Sequence, residues 1–115
     1  MKVAIIGSRN LVVADLEKYF PTHPDEIVSG GASGIDTCAR EFAQRNGIPF
    51  KEFLPQYERY GKSAPLKRND EIIAYADKVL AFWDGKSRGT QYVIDRCLEL
   101  HIPIKVVYIQ PEWER

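Results

Sequence analysis

Five short apolar runs punctuate this chain, and no other feature restricts its folding as much. They are "KVAIIG" (Lys2 to Gly7), "EIVSGG" (Glu26 to Gly31), "PFKEFL" (Pro49 to Leu54), "KVLAFWD" (Lys78 to Asp84) and "IKVVYI" (Ile104 to Ile109). The first, "KVAIIG", is nearly continuous in its hydrophobicity, as a strand buried on both faces would be. Helical patterns fill the gaps. Asn10 can cap a helix through Phe20, and Pro21 stops it. Ile35, Cys38, Ala39, Phe42 and Ala43 recur at helical spacing, and that helix ends before Gly47. A third helix is expected from about Pro65 to Tyr75, after the polar-aromatic stretch "PQYERYGKSAP". A fourth carries Thr90, Val93, Ile94, Cys97 and Leu98 on one face. Strands alternating with helices imply an α/β fold: a parallel sheet with helices on both faces, a three-layer sandwich. Right-handed crossovers favour the strand order 3-2-1-4-5, with its switch point between the first and fourth strands.

With 115 residues, the chain suits one domain spanning residues 1–115. Sixteen basic and sixteen acidic residues give zero formal charge. That disfavours wholesale coating of a nucleic-acid backbone, although nucleic acid stays open as a partner, and it leaves room for one small anion site. Cys38 and Cys97 fall on apolar helix faces and read as buried thiols rather than a disulfide or metal pair. His23 and His101 are isolated, so no metal is expected. No apolar run approaches the ~18 residues of a membrane span, and the start of the chain lacks the pattern of a secretory signal. The expected setting is the cytoplasm, without membrane contact.

Ligands of such sheets bind beyond the carboxyl ends of the strands, near the switch point. Three loops converge there: "GSR" (Gly7, Ser8, Arg9), "GGASGID" (Gly30, Gly31, Ala32, Gly34 and Asp36 among its residues) and "DGKSRGT" (Asp84, Ser87, Gly89 and Thr90 among its residues). A helix N-terminus has unpaired N–H groups and the positive end of the dipole, and glycines let an anion approach that backbone. "GGASGID" therefore reads as a phosphate cradle, with Gly31 at the close approach. Alternatively its glycines only form the turn. Asp36 can cap its helix or accept a bond from a sugar hydroxyl. Arg68 and Asn69 open a helix, where a cation is unfavourable unless an anion is near. Ser87 and Thr90 can donate to a phosphate or cap the last helix, and Asp84 can hold a ribose hydroxyl or a metal, or form a turn before Gly85. Tyr57 and Tyr60 can stack on a base, or pack locally or at an oligomer contact. The dinucleotide fingerprint fails at Ser29, and the P-loop pattern fails at Gln56.

Taken together, "IIGSR", "VSGGASGIDTCAREFA", the "YERYGKSAPLKRNDEII" segment and "VLAFWDGKSRGT" resemble the SLOG superfamily. That superfamily joins the DNA-processing protein DprA to the LOG-type phosphoribohydrolases, and the likeness is greatest to its small YspA-type members. It implies a Rossmann-like domain binding a nucleotide or nucleotide-derived phosphorylated ligand, with no further cofactor, and commonly a homodimer or higher homo-oligomer. LOG hydrolases carry an Arg that Arg68 matches and a Gly-rich loop of which Gly89 and Thr90 remain. Their catalytic Glu falls at Val93 here, so a binding module is expected ahead of a hydrolase. Asp95 lies about 200° around the helix from Val93 and faces elsewhere. If the protein were an enzyme, Arg68, Asp36 and Asp84 would be the catalytic candidates. DprA-like single-strand binding is the third reading.

Overall fold

The structure, a computed structural model, describes residues 1–31 and 34–110. Five parallel strands form one sheet in the order 3-2-1-4-5: β1 (Lys2–Gly7), β2 (Glu26–Ser29), β3 (Phe50–Glu52), β4 (Lys78–Trp83) and β5 (Ile104–Tyr108). The central pair is in register from Val3 opposite Lys78 to Gly7 opposite Phe82. The helices are α1 (Ile35–Arg45), the single turn α2 (Tyr57–Tyr60), α3 (Ala64–Tyr75) and α4 (Arg88–Leu100).

Because strand side chains alternate in direction, the sheet divides the core into two layers. Val3 and Ile5 face Ile35, Ala39 and Phe42 of α1, whereas Ala4 and Ile6 face Ile72 and Ile73 of α3 and Val93, Ile94 and Cys97 of α4. This is the Rossmann-like three-layer arrangement. It also fixes the cysteines. Cys97 is buried in the α3/α4 layer and Cys38 packs against the α1 layer, so the sheet lies between two free thiols. Burial pushes the Cys97 thiol above its usual value. No helix among the described residues is long and apolar enough to cross a membrane.

The first crossover departs from expectation. No α-helix spans Asn10 to Phe20; a 3-10 turn, Leu16–Tyr19, is the only helical piece. Leu11 and Val13 are buried while Val12 between them is exposed, the period of an extended chain. Two adjacent β-branched valines have low helix propensity, and Leu16 needs only one turn to reach the core. The third strand is shorter than expected, and "PQYERYGKSAP" contains one turn of α-helix followed by a 3-10 turn, Gly61–Ser63.

Candidate functional site

At the carboxyl ends of β1 and β4 lies a cavity of about 450 Å³. Gly7, Ser8, Arg9, Gly30, Asp36, Arg68, Asn69, Asp84, Ser87, Gly89 and Thr90 all line it. Gly31 and Gly34, expected with them, are not on this wall. Ala32 lies outside the described residues. Gly31 is not on the lining; a Cβ there would meet Leu54 and Glu52, so a side chain at 31 would press on the β3 side and not on an anion in the cavity. Gly34 serves packing: its φ is 70°, and a Cβ would stand 2.3 Å from the carbonyl oxygen of Arg9. Only a residue without a side chain lets the start of α1 pass so close to the first loop.

Arg68 reaches across from α3. Its Nη1 donates to the Gly30 carbonyl at 2.5 Å, and its Nε donates to Asn69 Oδ1 at 2.8 Å. Burial pushes the guanidinium pKa down from its ordinary value, the Asp36 carboxylate and Tyr57 oppose that, and Arg9 adds to it. Loss of solvation and a like charge nearby leave this cation favourably placed for an added anion. Arg9 itself is exposed on the rim.

The two carboxylates are both buried, each 7% exposed. Asp36, in the first turn of α1, accepts a hydrogen bond from Ser29 Oγ at 2.7 Å. The serine that breaks the dinucleotide fingerprint thus orients an acid at the cavity wall. Asp84 Oδ1 accepts from the backbone amides of Lys86 and Ser87, both at 2.8 Å. Burial alone would raise its pKa; those amides, with Ser8 and Asn10, outweigh it and hold the carboxyl below its usual range. Asp84 is therefore the turn-former before Gly85 as well as a cavity residue. Ser87 caps α4, its Oγ accepting from the Thr90 amide at 3.4 Å, and Trp83 Nε1 donates to the Ser87 carbonyl at 3.1 Å.

Sequence reasoning did not place Ile6, Asn10, Pro65, Leu66, Ile72 or Val93 on the cavity wall, which they also form. Asn10 turns toward Asp84 and caps no helix. The others make an apolar wall; helical spacing had placed Val93 only on the apolar face of the last helix. Val93 brings methyl groups to the cavity wall. Asp95 is exposed and bonded to Gln91. Tyr57 and Tyr60 stay off the lining, and the Tyr60 ring sits beside Arg59 and Lys67. A second cavity of about 330 Å³ opens at the other end of the sheet and contains none of the expected site residues. Among the described residues no group of three His, Cys, Asp or Glu could hold a metal ion.

A five-stranded parallel sheet in the order 3-2-1-4-5, flanked by helices, defines a Rossmann-like α/β class of domain. Within that class the chain belongs to the YspA, cpYpsA-related SLOG family, whose model matches residues 1–60. It is also similar to the Gene 61 protein of Mycobacterium phage D29, at 34% identity over 84 residues, 68% of this chain and 67% of that protein. No solved structure matches.

Proposed function

We propose that this chain is a binding module, or sensor, for a phosphorylated nucleotide or nucleotide-derived ligand held in the cleft. The observation that carries this reading is the meeting of Arg9 and Arg68 with the buried Asp36 and Asp84 in one cavity of about 450 Å³. That volume suits a small ligand. The arginines match a phosphate, the carboxylates match sugar hydroxyls, and the Pro65–Leu66 and Ile72–Val93 surface matches the flat face of a base. Family membership supports a nucleotide-related module. A charge-assisted bond from an arginine contributes ~1.5–3 kcal/mol, so losing the phosphate should cost about 3 kcal/mol, about a hundredfold in affinity. Calorimetric titration of AMP and adenosine tests this: AMP should bind at least about a hundredfold more tightly, and Arg68→Ala should weaken AMP about tenfold. Equal affinity for the two, or no nucleotide binding in a panel of several, would sink it.

A second reading, a phosphoribohydrolase-like enzyme, has Asp36 in its favour, an oriented buried acid on the cavity wall. Val93 weighs against it, because the cleavage needs a carboxylate beside the anomeric carbon. Ribose 5-phosphate accumulating from nucleoside monophosphates, and lost in Asp36→Asn, would establish turnover.

A further inference from the structure

We propose that the cavity at the amino ends of the strands is a ligand site of its own, built for a small planar aromatic carboxylate. It arises from an uneven cover of the sheet. Right-handed connections from β1 to β2 and from β2 to β3 run over the same face. Helix α1 forms the second of them, but the first is extended and gives only the 3-10 turn Leu16–Tyr19. The opposite face carries two full helices, α3 and α4. The missing helix leaves a hollow of about 330 Å³ on the α1 face, against β1, β4 and β5.

Strand alternation decides what the hollow holds. Val3 and Leu80 belong to the core on this face and form the floor, 5% and 3% exposed. Lys78 stands two residues before Leu80, and Lys105 two before Val107, which packs in the same layer. Both lysines therefore project onto this face. Register sets Lys105 beside Leu80 on the neighbouring strand, so the two ammonium groups can converge on one anion.

The walls are rings held from behind. Tyr19 meets the buried Phe82 edge to face at 5.2 Å, and Phe20 stacks on the buried Phe42 at 5.3 Å. Rings fixed by core packing lose little freedom when a flat ligand lies against them.

The charge is one-sided. In a chain of zero formal charge, this lining holds two lysines and no aspartate or glutamate. Asp25, just beyond the lining segment, bonds the Met1 ammonium. Among the described residues neither Lys78 nor Lys105 forms an ion pair, and the Lys105 ammonium lies 5.7 Å from the centre of the Tyr19 ring. An occupant that fits the rings must bring its own anion. A carboxylate suits it better than a phosphate, because the arginines and helix N-termini that favour phosphate lie at the cleft and not here.

Titration of 2-naphthoate, followed by methyl NMR, should shift the Val3 and Leu80 signals and give a dissociation constant below about 1 mM. 2-Naphthamide has the same shape without the charge. It should bind about tenfold more weakly, since two exposed cations contribute about threefold each. The puckered decahydro-2-naphthoate should bind at least about threefold more weakly than the flat acid. In the double variant Lys78→Gln/Lys105→Gln both changes fall on exposed side chains. Its circular dichroism spectrum should be unchanged, and acid and amide should bind it alike. Val3 and Leu80 methyls that stay silent at about 1 mM naphthoate would overturn the proposal. So would an amide or a puckered acid that binds as tightly as naphthoate, or a preference for the acid that survives in the folded double variant.

Discussion

A Cβ built on Gly30 would stand 2.5 Å from Nη1 of Arg68, the far end of a flexible side chain; one built on Gly34 would stand 2.3 Å from the Arg9 carbonyl, which is backbone. The two glycines should therefore respond differently to alanine. Gly30→Ala should cost under about 1 kcal/mol of stability, because Arg68 can swing away, yet weaken nucleotide binding about tenfold by displacing the guanidinium. Gly34→Ala should cost about 2 kcal/mol or more, since strain at positive φ adds to the backbone clash. Urea unfolding with calorimetry on both variants checks this, and Gly30→Ala with wild-type affinity would remove Arg68 from the ligand. Asp84 makes a pH-dependent contribution. Its carboxyl titrates lower in the fold than the roughly 3.9 of an unfolded chain, so its stabilisation is fully present above that value and fades as pH falls through the folded one. The stability gap between wild type and Asp84→Asn should be widest near about pH 6 and shrink toward about pH 3. Urea midpoints at the two pH values measure it, and a constant gap would count against the ionised form mattering. The polar members of this site were legible because strand ends and loop composition locate them. Its apolar wall was not, since Ile72 and Val93 at helical spacing look the same whether they face a core or a cleft.

Helices α1 and α4 both begin at the cleft but end their amide ladders differently. Ser87 caps α4 with its own side chain, whereas Gly34 at the start of α1 has none to offer. An arriving phosphate thus meets competition at α4. Ser87→Ala should cost about 1 kcal/mol, as cap removal usually does, while AMP affinity stays within about threefold. Thermal unfolding and titration would show both, and a loss of binding beyond tenfold would move the phosphate to α4. The strands, α1, α3 and α4 were readable because apolar spacing and length agree with one period in each. The first crossover was not. "LVVADL" satisfies a helical pattern through Leu11 and a strand pattern through Leu11–Val13 at once, and packing of Leu11, Val13 and Leu16 against the sheet decided for the extended form. The edge position of β5 followed from the expected order 3-2-1-4-5, although "IKVVYI" by itself reads as a buried strand.

Charge on the whole molecule bears on the choice between the proposed nucleotide module and a nucleic-acid binder. With sixteen cations against sixteen anions, the chain has no excess positive charge to release counterions along a phosphate backbone. The cations at the cleft are Arg9 and Arg68, and each has a carboxylate among its cavity neighbours. A protein neutralising six to ten phosphates loses about 10³–10⁵ in affinity between 50 and 200 mM salt. One phosphate held at two arginines should lose only about two- to fourfold over that range, because a partly buried contact is weakly screened. A single-stranded oligonucleotide should then bind no more tightly than a mononucleotide, since the cavity wall itself carries no cation beyond Arg9 and Arg68. Fluorescence anisotropy of a labelled deoxythymidine oligonucleotide, competed with AMP at low and high salt, reads both quantities. Oligonucleotide binding more than tenfold tighter than AMP, falling steeply with salt and surviving Arg68→Ala, would place the nucleic-acid surface outside the cleft and overturn the small-ligand reading.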